Sequence, residues 1–415
     1  MTVPASPPLL ESGRKTVLFV AEAVTLAHVG RVIVLAQSLD PQCYDVHVAC
    51  ADGYDFCFTG CTFKRWKINS IPGRQFLEAL AKGNPVYDQA TLSRYVDDDL
   101  ELLAQIRPDV VIGDFRLSLS VSARLAKVPY IAVINAYWSP YVAARYSVPN
   151  IPLTTFLPIG AATLLFRTVR PIAFALHARP LNAVRKQHRL PALGSDLRRV
   201  YTDADYTMYA DVAELFPPQD MPSNHSYIGP VIWSPPLSVP EWWDALPEDK
   251  PIIYVTLGSS GQGSLLPLVL DALSSLPVTV IAATAGNVDL ATIPANARTA
   301  NFLPGEWAAR RSVLVICNGG SPTCHQALVA GVPVLGIASN LDQFLNMDGV
   351  IGAGAGALLR ADRLRGDTVR DVVRNLLADP QATAAAQNVA ATFGKYDAIA
   401  RFTSLVDAIL DQRVM

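Results

Sequence analysis

The sequence predicts two doubly wound α/β domains, and three observations carry that prediction. The 415 residues give room for two or three cores at about 150 residues each. Short apolar runs bounded by turn residues alternate with stretches of helical period, the order that builds parallel βαβ units. Six prolines fall between Gly229 and Pro251, dense enough for a semi-rigid spacer, and they split the pattern into two halves.

In the first half the apolar runs predict strands at 16–21, 44–50, 63–68, 110–114 and 130–135, with 206–210 closing the sheet. Helical spacing predicts helices at 29–39, 87–106 and 118–126. In the second half strands are predicted at 252–256, 278–283, 299–302, 313–317 and 334–337. The resulting division is a disordered arm at 1–14, a first domain over 15–228, a linker over 229–251 and a second domain over 252–394. A last helical segment over 395–415 crosses back to the first domain. Ligands of such sheets bind outside the carboxyl ends of the strands, so two of them facing each other create a cleft.

Composition narrows the function. Hydrophobic residues make up 51% and charged residues 17%, which excludes a disordered chain. With 34 basic against 36 acidic residues the net charge is −2, without the footprint of a nucleic-acid binder. Six cysteines with no CxxC pair, and no histidines at finger spacing, argue against structural zinc. Residues 1–14 hold no apolar core, so they do not read as a signal peptide, and reduced thiols point to the cytoplasm. The uncharged runs 312–341 and 146–166 are interrupted by prolines and glycines, so neither reads as a spanning helix.

Several signals fail on inspection. No Gly-x-x-x-x-Gly-Lys and no Gly-x-Ser-x-Gly occurs. The glycines of 352–356 follow a helix and precede a strand, the reverse of a dinucleotide fingerprint. Asp97, Asp98 and Asp99 lie beside the apolar stripe Leu92, Val96, Leu100 and Leu103, and read as a solvated helix face rather than a metal site.

The strongest signal is Asn318-Gly319-Gly320-Ser321-Pro322-Thr323-Cys324-His325-Gln326-Ala327, directly after an apolar strand. Ser321 suits an N-cap and Pro322 the first helical position, while the glycines let a ligand approach the backbone. Free N–H groups of Thr323 and Cys324 and the helix dipole then favour an anion there; a tight turn without a ligand fits the same residues. Asp342-Gln343 pairs an acceptor with an amide, suited to vicinal hydroxyls, although an acidic first helical turn explains it equally.

With Asn301-Phe302-Leu303-Pro304-Gly305, Ala330-Gly331-Val332-Pro333-Val334-Leu335 and Asp342-Gln343, this segment resembles the donor motif of family 1 glycosyltransferases of GT-B fold. The likeness extends over essentially the whole chain: Thr256-Leu257-Gly258-Ser259 is similar to the first strand and loop of the donor domain, and 352–359 to its later glycine segment. It implies that Phe302 and Leu303 face the nucleotide base, and that Ser259, Asn318, Gly319, Gly320, Ser321 and Thr323 meet the diphosphate. Gln326 would meet the ribose, and Asp342 and Gln343 the sugar hydroxyls. Two positions depart from the family: Asn318 stands for a histidine and Gln326 for a glutamate, so both lose a charge.

On the other side of the cleft, Leu26-Ala27-His28-Val29-Gly30 opens a helix after the first strand, with His28 off its apolar stripe. His28 is similar to the general base of the family, here with Ala27 for Gly and Arg31 for Pro, and an imidazole suits proton removal from a hydroxyl. Asp114, at the end of the strand 110–114, matches the family's supporting carboxylate; capping the next helix is its plainer role. His47, His177, His188 and His225 read as structural or surface residues, and His325 lacks a carboxylate nearby in sequence. Tyr137, Trp138 and Phe156 would wall an apolar acceptor pocket. The basic stretch 167–199 fits peripheral contact with the inner face of a membrane, or simply solvated helix faces.

The expected function is metal-independent, inverting transfer of a sugar from a nucleotide sugar, UDP-sugar first and dTDP-sugar second, to a small apolar acceptor such as a natural product or lipid. No other cofactor is expected. A nucleotide-sugar epimerase on the same fold and a catalytically silent binding partner are the alternatives.

Overall fold

The structure, a computed structural model, describes residues 13–258, 262–286, 288 and 290–411. Ser259 and most of the expected arm at 1–14 lie outside the described residues.

The first sheet has seven parallel strands: β1 (Lys15–Ala21), β2 (Tyr44–Cys50), β3 (Lys64–Lys67), β4 (Val110–Asp114), β5 (Tyr130–Ile134), β6 (Tyr206–Tyr209) and β7 (His225–Tyr227). Their order is β3-β2-β1-β4-β5-β6-β7. β4 and β5 are buried along their whole length, and β1 over its last five residues, because helices cover both faces; that explains their unbroken Val, Ile and Leu content. The helices are α1 (Leu26–Gln37), α2 (Gly73–Lys82), α3 (Gln89–Ile106), α4 (Leu119–Ala126), α5 (Leu153–Phe156), α6 (Ile159–Gln187) and α7 (Leu197–Tyr201).

The second sheet is also parallel: β8 (Ile252–Thr256), β9 (Thr279–Ala283), β10 (Ala297–Ala300), β11 (Leu314–Cys317), β12 (Val334–Ala338) and β13 (Gly356–Arg360), ordered β10-β9-β8-β11-β12-β13. It is accompanied by α8 (Leu266–Ser274), α9 (Gly305–Arg310), α10 (Ser321–Val329), α11 (Leu341–Gly352), α12 (Gly366–Ala378) and α13 (Pro380–Phe393). The last helix, α14 (Ala398–Asp411), buries Phe402, Val406, Ile409 and Leu410 in the core of the first half, beside Phe19 and Val29. Each such side chain contributes roughly 1.5–3 kcal/mol by leaving water.

In each sheet the strand order reverses once, between β1 and β4 and between β8 and β11. Ala21 pairs with Asp114, and Thr256 with Cys317, so each reversal opens a crevice at strand carboxyl ends. The candidate residues sit at these two points.

Four expectations are corrected. The 229–251 segment is not a bare spacer: Val231 packs in the first core and Trp243 and Leu246 in the second, because its apolar residues find faces on both halves. Asp99 is buried rather than solvated, paired with Arg116. His225 forms the extra strand β7, too short and polar to be read as one; its ring is buried, which pushes its pKa down to about 4. β10 ends at Ala300, so Phe302 follows the strand rather than closing it.

Candidate active site

His28 lies in the first turn of α1, and its Nδ1 is 2.6 Å from Oδ1 of Asp114, the last residue of β4. One turn on, Arg31 shares that carboxylate: Nε donates to Oδ2 at 2.7 Å and Nη2 to Oδ1 at 2.9 Å. Its Nη1 donates to Oδ1 of Asn135 at 2.6 Å. Burial pushes the Asp114 carboxyl up, but the Arg31 guanidinium and then His28 outweigh it and hold the carboxyl below its ordinary range. An ionised Asp114 accepts from Nδ1–H, which leaves Nε2 as the ring's proton acceptor.

The ring is also held on its face. Phe115 stacks on it with centroids 5.0 Å apart and planes 11° apart. Phe115 has φ 59°, in the left-handed region where a bulky residue costs about 1–3 kcal/mol. Edge contacts from Phe76 and Tyr201 fix it there. Behind it, fully buried Arg116 bridges Glu22 at 2.9 Å and Asp99 at 3.0 Å, and the Glu22 N–H donates to the Asp114 carbonyl at 3.1 Å.

The facing wall is built from backbone. After β11, Gly319 takes φ 80°, and a Cβ there would meet Met347 Cγ at 2.8 Å, so the turn needs glycine twice over. Asn318 Oδ1 accepts from the Gly320 N–H at 3.0 Å and shapes the turn. Gly320, not Ser321, is the N-cap of α10, and Ser321 is its first helical residue. Freed from capping, the Ser321 hydroxyl donates to Asn135 Oδ1 at 3.3 Å, across the cleft. Thr323 is half-buried in the same turn.

Gln326 points to the 229–251 segment: its Nε2 donates to the Trp233 carbonyl at 2.7 Å and the Ser234 hydroxyl at 3.1 Å. Its amide N–H groups are thus already engaged. The Leu303 side chain is buried in the second core beside Ala308 and Ala309. Phe302 meets Phe56 of the first half at 6.1 Å.

Asp342 and Gln343 open α11. Asp342 Oδ1 accepts from Trp138 Nε1 at 2.7 Å, and burial pushes its carboxyl up against that bond. Gln343 Oε1 accepts from the Ser339 N–H at 2.8 Å and, closing a capping box, from the Asn340 N–H at 3.3 Å. Its Nε2 is buried with no hydrogen-bond partner among the described residues. An orphaned donor of this kind suits a ligand hydroxyl. Of the aromatic candidates, Trp138 reaches the cleft, Tyr137 packs on Phe216 with its hydroxyl beside Asp342 and Ser321 of the facing wall, and Phe156 is 83% exposed on the outer surface.

The sequence alone does not reveal several of the site's partnerships. Arg31 links Asp114 to Asn135, Asn135 reaches Ser321 of the facing wall, and Asp211 braces Asn135, accepting from its Nδ2 at 3.1 Å and from the Ala136 N–H at 2.6 Å. His325 does have a carboxylate: its Nε2 is 3.1 Å from Asp211 Oδ1, close enough for an ion pair though out of line for a hydrogen bond. The Trp233 indole packs against Gly30, where a Cβ would come within 2.6 Å of it, so the connecting segment touches both α1 and α10. Among the described residues no group of three or more His, Cys, Asp or Glu is placed to hold a metal ion.

Known proteins resemble this chain in sequence and in fold. Residues 267–395 match the family described as "Erythromycin biosynthesis protein CIII-like, C-terminal domain". A PGL/p-HBAD biosynthesis rhamnosyltransferase of Mycobacterium bovis is 53% identical over 394 residues, 95% of this chain and 88% of that protein. The chain belongs to the PGL/p-HBAD biosynthesis glycosyltransferases. Its fold is GT-B: the spinosyn forosaminyltransferase SpnP superposes with TM-score 0.70 at 19% identity, covering 96% of this chain and all (100%) of that one. The spinosyn rhamnosyltransferase SpnG, solved with thymidine diphosphate, gives 0.68 at 20% identity over 95% of this chain and 100% of that one. This PGL/p-HBAD family member is therefore a glycosyltransferase.

Proposed function

We propose that the first half binds an apolar acceptor, the second half a nucleoside-diphosphate deoxyhexose, and that the sugar is transferred with inversion. The observation that carries this reading is the pairing of the two strand-order reversals. One presents His28 backed by Asp114; the other presents the amino end of α10, and Asn135 bonds to both walls.

His28 Nε2 removes the proton of the acceptor hydroxyl, and the Asp114 carboxylate stabilises the imidazolium that forms. The acceptor oxygen attacks the anomeric carbon on the face opposite the diphosphate. A single displacement of this kind inverts the configuration. The diphosphate leaves against the first-turn N–H groups and dipole of α10, while Asp342 and the orphaned Gln343 Nε2 hold sugar hydroxyls.

The rhamnosyltransferase name of the Mycobacterium bovis relative supports rhamnose, and the thymidine diphosphate of the SpnG structure moves dTDP ahead of UDP as the nucleotide. Calorimetric titration with dTDP and UDP should give tighter binding of dTDP. Incubation with dTDP-rhamnose and an apolar hydroxylated acceptor should yield a glycoside whose anomeric C–H coupling reports the opposite configuration to the donor. Retained configuration, or turnover of donor without acceptor at the same rate, would overturn the mechanism.

A further inference from the structure

Helix α6 is built the wrong way round for a helix on a water-exposed surface. It buries Ala162, Phe166, Phe174, Ala178, Leu181 and Val184 in the first half, which holds it firmly in the protein. A surface helix then turns polar residues outward. Here the outward line is apolar: Leu165, Ile172 and Leu176, spaced seven and four apart, lie on one side, and all three are exposed. Leu164 at 70% and Ile172 at 65% exposure are the extremes, and Phe156 of α5 stands out at the amino end. A contiguous apolar strip of this kind marks an interaction surface.

The same line ends in charge. Counting on by sevens from Ile172 reaches Arg179 and Lys186, both exposed, and α6 contains no acidic residue. We propose that this face of α6 lies on an anionic lipid bilayer, its leucine–isoleucine strip in the acyl boundary and Arg179 and Lys186 among the headgroups. The helix is long and apolar enough to span a membrane, but its inner face is committed to the protein core. It therefore lies in the interface plane. A second copy of the chain is a poorer occupant, since two such faces would bring only positive charge to their contact. The inference goes beyond sugar transfer, and its failure would leave the active-site reading untouched. It also moves the membrane contact expected of 167–199 to the outward residues of 156–186.

The test is flotation of the full chain with vesicles of phosphatidylcholine alone and of phosphatidylcholine mixed with phosphatidylglycerol. Binding is expected to the anionic vesicles and to weaken with salt. The double variant Ile172→Asp with Leu176→Asp should lose about a hundredfold in partition. Arg179→Glu with Lys186→Glu should lose at least about fivefold per charge, with little remaining salt dependence. Both should keep the melting temperature and the transfer rate to a water-soluble acceptor. Failure of the parent chain to bind anionic vesicles would overturn the proposal. So would wild-type binding by the double aspartate variant, or a parent dimer that this variant dissociates without any change in vesicle binding.

Discussion

The two walls of the cleft are made of different materials. The acceptor wall is charged and interlocked: Asp114 is held by two donors of Arg31 and by His28, and a second buried set, Glu22, Arg116 and Asp99, stands behind Phe115. The donor wall is neutral where the diphosphate would sit, with Asn318, Ser321, Thr323 and Gln326 around a glycine turn and a helix end, while the Asp342 carboxylate stands at the sugar end. The difference follows from the chemistry each wall performs. A base must hold one tautomer in one orientation, and a fixed carboxylate does that while stabilising the imidazolium. A diphosphate brings its own charge, so peptide N–H groups suffice to receive it.

If that division is right, damage to the acceptor wall should appear in turnover and damage to the donor wall in affinity. The largest effect is expected for His28→Ala, a fall in kcat of about 10²–10⁴-fold, since that is what a general base contributes. Binding of dTDP by calorimetry should stay unchanged; an equal loss of nucleotide affinity would place His28 on the donor wall instead.

Arg31→Leu comes next. It leaves Asp114 and Asn135 buried without their main partner, a loss of about 3–5 kcal/mol of stability. The pH dependence has a definite sign. In the parent chain the Asp114 carboxyl is lowered from 3.8, so its contribution is present above that value and lost as pH falls through the lowered one. In the variant, with burial less opposed, the carboxyl moves up, and stability is lost as pH rises. Urea denaturation should therefore show a wider gap between the two at pH 7 than at pH 4, near the ordinary carboxylate range. Equal gaps would mean that Arg31 acts by packing alone.

On the donor wall, Asn318→His restores the charged group that the family motif carries. A charge-assisted bond to the diphosphate is expected to tighten dTDP binding by about tenfold below pH 6.5 and to fade above it. The effect on kcat should be small. A variant that changes kcat and leaves affinity alone would break the division of labour.

Much of this was legible in the sequence, for identifiable reasons. Buried parallel strands read as unbroken apolar runs, and residues just past their carboxyl ends, such as Asp114 and Gly319, are where ligands collect. What stayed hidden are partner choices made only when the halves meet. Ser321 and Asn135 are 186 positions apart, and Trp138 and Asp342 are 204 apart. No local spacing announces them. Arg31 looked like a departure from a proline and turned out to grip the carboxylate itself. Helix α6 runs through Pro171 and Pro180, residues that ordinarily break a helix, so local rules alone do not announce its full length.

The smallest expected effect lies at the rim. Asp348 of α11 looks towards Arg145 and Arg167 of the first half, yet its Oδ2 is buried without a hydrogen-bond partner among the described residues. Burial pushes its carboxyl up to about 6, more than the two guanidinium groups bring it down. A raised carboxyl binds its proton more tightly folded than unfolded, so stability is lost as pH climbs through that value. Asp348→Asn removes the titration and keeps the shape. The variant should melt higher than the parent chain at pH 8, with the advantage shrinking as pH falls below 6, by differential scanning fluorimetry. A lower melting temperature at pH 8 would instead show that the ionised carboxylate does bridge to Arg145 or Arg167. The rim would then be a further interlocked charge site, joining the halves as Arg360 does through the Val148 carbonyl and Asn150.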